Sequence, residues 1–128
     1  MNILLDTHAF IWWNEGDARN STHLHRELRD PANTLWLSMA SVWEMQIKSQ
    51  LGKLQLQKPL HLLIEQEMQV NRLRLLSISL EDIYSLARLP ALHRDPFDRI
   101  IVSQAIAGGF HLVTNDTNIR GYHVPVLW

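Results

Sequence analysis

Four acidic residues are the candidates for chemistry in this sequence, and each falls where a predicted strand or turn passes into a helix or loop. They are Asp6, Glu44, Asp98 and Asp116. Two carboxylates about 5 Å apart repel by about 3 kcal/mol at an effective dielectric constant near 20, so a cluster of them must take up protons or bind cations. All-oxygen ligation favours Mg²⁺ or Mn²⁺ over zinc. Such sites typically serve the hydrolysis of phosphate esters.

Two of the acids follow predicted buried strands. Asp6 comes directly after the apolar run Ile3–Leu5, and Asp116 follows the predicted strand Phe110–Thr114. The carboxyl ends of parallel strands line the crevice where ligands bind in open α/β sheets. Asp6 could instead cap a helix, and Asp116 could belong to an ordinary turn. Because both acids occupy the same position after a strand and have a threonine nearby, a shared site is the favoured interpretation.

The other two acids belong to predicted helices. Glu44 lies in the most apolar part of the helix that begins at Ser38, where an unpaired carboxylate needs a reason to be present. A capping box with Ser41 or a solvated helix face are the alternatives. Asp95 is assigned to capping the next helix. Asp98, in the first turn of that helix, is favoured as a site residue that also complements the helix dipole.

The elements that must position these acids follow from hydrophobic periodicity and from glycine and proline punctuation. The predicted strands are 3–5, Leu35–Leu37, Leu73–Ile78, Phe110–Thr114 and Tyr122–Trp128. The predicted helices are Thr7–Trp13, Ser21–Arg29, Ser38–Gly52, Pro59–Val70, Leu80–Leu89 and Asp95–Gly108. Pro125 places the last strand at an edge. This alternation predicts an α/β fold, with a mainly parallel central sheet covered by helices on both faces.

Composition narrows the possible classes of protein. The chain has 128 residues, of which 46% are hydrophobic, so we expect a single domain spanning residues 1–128. Its formal net charge of −1 neither supports nor excludes a nucleic-acid substrate. The absence of cysteine excludes disulfides and thiolate chemistry. Neither a signal peptide nor an apolar run long enough to cross a bilayer is evident, so we expect a soluble, cytoplasmic protein.

Other residue types rank below the acids. The seven histidines show no zinc-ligand spacing, and only His8 and His93 lie beside proposed acids. No glycine-rich phosphate loop is present. Among the five tryptophans, Trp36 and Trp43 fit a core, whereas the adjacent pair Trp12–Trp13 cannot both face inward from one helix. We therefore expect at least one member of that pair to contact a partner.

Four ordered motifs give the chain its resemblance to a known family. They are Leu4-Leu-Asp-Thr-His-Ala-Phe-Ile-Trp-Trp13; Ser38-x-x-Ser-Val-Trp-Glu-x-x-Ile-Lys48 with Gly52-Lys-Leu54; His93-x-Asp-Pro-Phe-Asp-Arg99 with Gln104-Ala105; and Leu112-Val-Thr-Asn-Asp116. Over essentially its whole length the chain resembles PIN-domain ribonucleases, specifically the VapC-type toxins of bacterial type II toxin-antitoxin pairs. The resemblance implies a three-layer α/β/α PIN-like fold and an endoribonuclease that uses Mg²⁺ or Mn²⁺ to activate water.

The resemblance also implies roles for individual residues and for partners. Asp6, Asp98 and Glu44 would be the principal metal ligands, and Asp116 a fourth. The supporting residues would be Thr7, Thr114, Arg99 and Asp95. Of these, Arg99 could contact phosphate or a site carboxylate, and Asp95 would lie beside the ligands. The implied partners are an RNA substrate, a second copy of the chain in a homodimer, and a cognate antitoxin that inserts a segment into the acidic groove.

Two alternatives remain open at this stage. One is a DNA-directed or structure-specific nuclease of the same fold, and the other is a non-catalytic domain whose acidic groove binds a basic protein segment. Charge alone suggests where substrate choice lies, in the basic residues of the intervening helices and loops. Those residues are Lys48, Lys53, Arg72 and Arg74.

Overall fold

The computed structural model describes residues 1–16, 21–91 and 95–128, with the side chain of Arg120 left out. Its strands are β1 (Asn2–Leu5), β2 (Thr34–Ser38), β3 (Arg74–Leu76), β4 (His111–Val113) and β5 (Val126–Leu127). Its helices are α1 (Thr7–Glu15), α2 (Thr22–Arg29), α3 (Met39–Gln50), α4 (Leu60–Val70), α5 (Leu80–Tyr84) and α6 (Pro96–Gly108). Two short 3₁₀ turns cover Ser85–Arg88 and Ile119–Gly121.

The five strands form one sheet in the order β3-β2-β1-β4-β5, and every described pair is parallel. β1 is therefore central, paired with β2 on one side and β4 on the other. β5 lies at an edge, directly after Pro125, as expected for a strand next to a residue that cannot donate a backbone hydrogen bond. The predicted α/β fold with a parallel central sheet is confirmed.

Apolar side chains on the two faces of the sheet build two separate cores. On one face, Ile3 and Leu5 of β1 pack with residues of α1, α2 and α4. On the other face, Leu4 of β1 packs with the buried side of α6. Alternating strand residues point to opposite faces, so one central strand serves both helical layers. These two clusters are the physical basis of the α/β/α sandwich.

A buried polar link ties α6 to the end of β2. The Ser38 hydroxyl donates to Oε1 of Gln104 (2.5 Å), and the Gln104 amide donates to the Ser77 carbonyl (3.1 Å) and to Oδ2 of Asp82 (3.3 Å). Because Ser38 also caps α3 through the backbone N–H of Ala40, one serine connects three elements near the acids.

The structure differs from the sequence predictions at four places. The predicted helix Leu80–Leu89 is the short α5 followed by a 3₁₀ turn, and the strand predicted over Leu73–Ile78 is only three residues long. Of the strand predicted over Tyr122–Trp128, only Val126–Leu127 is extended in the sheet. Trp43, expected in the core, is 60% exposed. Its ring packs edge-on against Phe97 at the first turn of α6, with ring centroids 5.2 Å apart, so it bridges two helices at the surface.

Within the described part of the chain, none of the helices has the length and apolar character needed to span a membrane. The single-domain assignment and the cytoplasmic location stay predictions.

Candidate active site

The acids are gathered at the carboxyl edge of the sheet by its parallel topology. β1 and β4 pair in register up to Leu5 and Val113, so Asp6 and Thr114 emerge side by side. The backbone N–H of Asp6 extends the ladder by donating to the Val113 carbonyl (3.0 Å). Helices that follow parallel strands start at this edge, and α6, which precedes β4 and runs back along the sheet, also begins there.

Asp6 is 5% exposed and does two jobs at once. Its Oδ1 accepts a hydrogen bond from the backbone N–H of Ala9 (2.7 Å), which caps α1 as one of the sequence alternatives predicted. Burial raises the pKa of the Asp6 carboxyl above its usual value, although hydrogen bonds from Thr114 and Ala9 and the nearby His8 oppose the rise, while Asp116 adds to it. A buried acid with a raised pKa takes up a proton or a cation readily.

Glu44 is held in place by α1. Thr7 donates its hydroxyl to Oε1 of Glu44 (2.7 Å), and the same hydroxyl lies 3.0 Å from that of Ser41. Glu44 is only 2% exposed, so the predicted alternative of a solvated helix face is wrong. Ser41 is engaged with Thr7, and it is Ser38 that caps the helix. The polar position of Thr7 beside the acids matches the expectation for it.

Lys48 neutralises Glu44 from the next turn of the same helix. Its ammonium lies 2.6 Å from Oε2 of Glu44, so both oxygens of this buried carboxylate have partners. The pKa of Lys48 is raised, chiefly by that hydrogen bond and also by attraction to Glu44, Asp95 and Asp98. Lys48 is therefore the cation that connects α3 electrostatically to the start of α6.

The start of α6 carries two acids, Asp95 and Asp98. Asp95 caps the helix, because its Oδ1 accepts from the backbone N–H groups of Phe97 (2.8 Å) and Asp98 (3.3 Å). The capping role predicted for Asp95 is confirmed. Asp98 is half-buried in the first turn, close enough to Lys48 to contribute to its electrostatics.

Asp116 follows β4 in a local turn. Its Oδ1 accepts from the backbone N–H of Asn118 (2.9 Å), and its own N–H donates to the Thr114 hydroxyl (3.0 Å). Asp116 thus belongs to a turn, and it also lies close enough to Asp6 to raise the pKa of that carboxyl by repulsion. Thr114 interacts with both acids and is fully buried.

The donors fit a hard divalent cation in kind, because they are carboxylate oxygens accompanied by threonine hydroxyls. In position they form two electrostatically linked groups, one of Asp6 with Asp116 and one of Lys48 with Glu44, Asp95 and Asp98. No three acidic or imidazole side chains of residues 1–16, 21–91 and 95–128 stand close enough to hold an ion as they are. A lysine and hydroxyl groups, rather than further carboxylates, flank Glu44.

Arg99 has other partners than the carboxylate that was one of its two predicted contacts. Its guanidinium donates to the carbonyls of Pro90 (3.1 Å) and Leu86 (3.2 Å) and to the hydroxyl of Tyr122 (3.4 Å). No ion pair joins it to an acid in the described part of the chain, so the predicted carboxylate contact is wrong, while the predicted contact with phosphate stays a prediction. Arg99 instead ties α6 to neighbouring loops.

Sequence reasoning named Lys48 only as a basic residue, although a glutamate followed four residues later by a lysine on one helix is a recognisable ion-pair signal. Arg72 and Arg74 line a cavity with residues before and at the start of β2, at the opposite edge of the sheet. His8 is exposed, and His93 lies outside the described residues.

Comparison with known proteins agrees with this architecture. A family model described as the PIN domain matches residues 3–123. Ribonuclease VapC22 of Mycobacterium tuberculosis is 27% identical over 124 residues, covering 96% of this chain and 93% of the relative. VapBC2 from Rickettsia felis, solved bound to a DNA fragment from its promoter, superposes with a TM-score of 0.74 at 18% identity, over 100% of this chain and 99% of the other. A toxin-antitoxin complex from Klebsiella pneumoniae superposes with a TM-score of 0.62 at 17% identity, over 98% and 96%. At these identities the solved structures establish the fold.

Replacing Asp6 by Asn should stabilise the folded protein at neutral pH. Asp6 has a raised pKa in the folded state, so its contribution favours folding at low pH and is lost as pH rises from about 3.8, the ordinary aspartate value, through the folded value. An amide keeps the cap to Ala9 without the buried charge. Urea unfolding of both proteins should show a gap that widens with pH over this window and then stays constant, and a variant less stable than wild type at neutral pH would contradict the assignment.

Replacing Lys48 by Met should destabilise the protein, because buried Glu44 loses its cation. We expect a loss of about 1–2 kcal/mol, below the value for a fully buried pair since the Lys48 side chain is 37% exposed. The matched control is Lys58→Met, which removes an exposed charge from a residue whose ammonium contacts Gln66. Addition of Mn²⁺ should recover more thermal stability in Lys48→Met than in wild type. Equal stability of Lys48→Met and Lys58→Met would show that the pair contributes nothing.

Proposed function

Because this chain belongs to the PIN-domain family, we propose that it is a metal-dependent endoribonuclease that acts as the toxin of a toxin-antitoxin pair. The single observation that carries the proposal is the delivery of four motif acids to one edge of the sheet, with Asp6 and Glu44 buried there. The relative from M. tuberculosis is a ribonuclease, which supports the reaction class.

We assign the metal-holding role to Asp6, Asp98 and Glu44, with Asp116 as a fourth residue. A bound Mg²⁺ or Mn²⁺ supplies an activated water and positive charge beside the scissile phosphate. Thr7 orients Glu44 by donating to Oε1, and this hydrogen bond fixes the direction of Oε2 as well. Thr114 does the corresponding work between Asp6 and Asp116.

Lys48 and the N-terminal ends of α1 and α6 offset part of the negative charge of these acids. The Lys48 ammonium is positioned to attract an anionic backbone towards a group of residues that would otherwise repel it. The N-terminus of α1 donates the Ala9 N–H to Asp6, and that of α6 carries Asp98, so both helix dipoles offset negative charge at the edge. This arrangement favours a phosphodiester substrate over an uncharged one.

Cleavage of RNA should require both metal and the acids. Purified protein with Mg²⁺ or Mn²⁺ should cut structured RNA, EDTA should abolish cutting, and Asp6→Asn or Asp98→Asn should reduce the rate by roughly a hundredfold or more. Asp30→Asn is the matched control, because Asp30 is exposed after α2 and its side chain accepts from the backbone N–H of Ala32, away from the acids. Time courses on denaturing gels would measure the rates.

Three outcomes of that assay are decisive. Equal survival of RNA with wild type and Asp6→Asn would contradict the nuclease proposal and favour a non-catalytic acidic groove. Cutting of single-stranded or duplex DNA alone would favour the DNA-directed alternative. Loss of activity in Asp30→Asn would show that the effect comes from net charge and not from the site.

We also propose an antitoxin partner that presents a basic side chain to the acids. The similar structure from Klebsiella pneumoniae is a toxin-antitoxin complex, which supports the class of partner. The Lys48–Glu44 pair supports the fit of a basic group against a buried carboxylate at this edge. Exposed apolar residues on α4 provide a surface for the rest of such a segment. They are Leu62, Met68 and Val70. The homodimer stays a prediction.

A protein encoded beside this one, ending in an arginine-containing tail, should suppress RNA cleavage when the two are mixed. Replacing the arginines of that tail by glutamine should weaken the inhibition, because the acids then lose the cation that covers them. Cleavage rates at increasing partner concentration would give the inhibition constant. Unchanged cleavage at saturating partner would contradict the assignment of that protein as the antitoxin.

A further inference from the structure

A groove beside the acids is not used by the chemistry described so far. It has a volume of about 340 Å³, at the lower end of the range of small-molecule sites. One wall is a single face of α1, made by His8, Ile11, Trp12 and Glu15 at helical spacing. The other wall is the end of α3 and the turn after it.

Two residues make the groove continuous with the acids. Thr7 lines it and donates to Oε1 of Glu44, and Lys48 lines it with its ammonium 2.6 Å from Oε2 of the same carboxylate. Whatever enters the groove therefore lies next to Glu44.

The turn after α3 brings a second lysine into the wall. Gly52 adopts a left-handed conformation (φ +71°), and the backbone N–H of Lys53 then donates to the Lys48 carbonyl (2.9 Å). This closes the helix and fixes Lys53 next to Lys48. The Lys53 side chain is exposed and makes no ion pair with any residue that the structure describes. An anion in the groove would thus meet a cation that none of the described residues neutralises.

The α1 wall offers aromatic surface opposite these cations. The rings of His8 and Trp12 lie 5.9 Å apart with a tilt of 42°, and Trp12 also contacts Trp128 edge-on at 5.7 Å. Rings that are packed in this way lose little freedom when a flat ligand stacks on them. Aromatic rings combined with lysines are typical of surfaces that bind single-stranded nucleic acid.

We propose that this groove binds a nucleotide of single-stranded RNA next to the phosphate held at the acids, with Lys53 contacting its phosphate and Trp12 stacking on its base. The inference rests on the proposed function and adds where the RNA lies. His8, one helical turn before Trp12, extends the stacking surface towards Asp6. An RNA nucleotide is favoured over an apolar protein segment because two lysines and an imidazole line the groove beside the Trp12 ring, so that it presents cations as well as an aromatic surface.

Binding of RNA in EDTA tests the lysine without any cleavage. The probe is a short fluorescently labelled single-stranded RNA, and anisotropy gives the affinity at several salt concentrations. Lys53→Gln should weaken binding and reduce the slope of log affinity against log salt by about 0.7, the value for loss of one phosphate contact on a single strand. Lys58→Gln removes the same charge outside this groove and should leave the slope unchanged.

The aromatic contact is tested separately at Trp12. Trp12→Leu should reduce RNA affinity roughly tenfold, as expected for loss of one stacked base, whereas Trp12→Phe should keep most of it. Thermal unfolding of both variants controls for loss of the contact with Trp128. If Trp12→Phe weakens RNA binding as much as Trp12→Leu at equal thermal stability, the stacking contact is overturned.

The outcomes also separate this inference from the nuclease proposal. Lys53→Gln should raise KM for RNA cleavage and leave kcat unchanged, since no ion pair joins Lys53 to an acid in the described part of the chain. Equal RNA affinity and salt slope for wild type, Lys53→Gln and Lys58→Gln would overturn the groove even if RNA is cleaved. RNA binding that depends on Lys53 and Trp12 without any cleavage would support the groove and contradict the nuclease. If the Lys53 and Trp12 variants weaken binding of the antitoxin and leave RNA affinity unchanged, the groove binds protein instead.

Discussion

The constraint on which the structure depends is the concentration of carboxylates at one edge of a parallel sheet. The central position of β1, in register with β2 and β4, brings Asp6 beside Thr114 and the start of α3 close to the start of α1. Parallel strands all end at the same edge, so the polar residues that follow them lie along that edge. The two apolar clusters that cover the sheet hold this edge rigid.

The site offsets part of its own negative charge. Burial raises the pKa of Asp6, while Glu44 is compensated by Thr7 and Lys48. Transferring a charge from water into the protein interior raises the free energy of the folded state, and a partner of opposite charge offsets this rise only in part. The buried carboxylates at this edge therefore lower the folding stability of the protein, as is common for residues that serve an activity. The apolar packing of α6 and β1 compensates elsewhere in the chain.

Much of the fold and of the acid set could be predicted from the sequence, because period and punctuation are local signals. Asp6 after a buried strand and Asp95 before a proline both identify helix starts, and the structure has them there. The direction of a long side chain is not local. Trp43 and Arg99 are placed by packing between α3, α6 and the loops beside them, so neither neighbouring residues nor spacing revealed the exposure of Trp43 or the carbonyl partners of Arg99. Their misassignment has that common cause.

For the proposed RNA substrate, the acidic edge poses an electrostatic problem that the lysines address. RNA is a polyanion and the chain carries a formal net charge of −1, so long-range attraction cannot bring the two together. Attraction has to come from local cations close to the acids, within about one Debye length of roughly 8–10 Å. Lys48 lies against Glu44, and the turn at Gly52 holds Lys53 next to it. Because α1 contributes Thr7 and the aromatic wall directly after its cap Asp6, the elements that hold the acids also shape the surface over which the proposed RNA substrate would approach them.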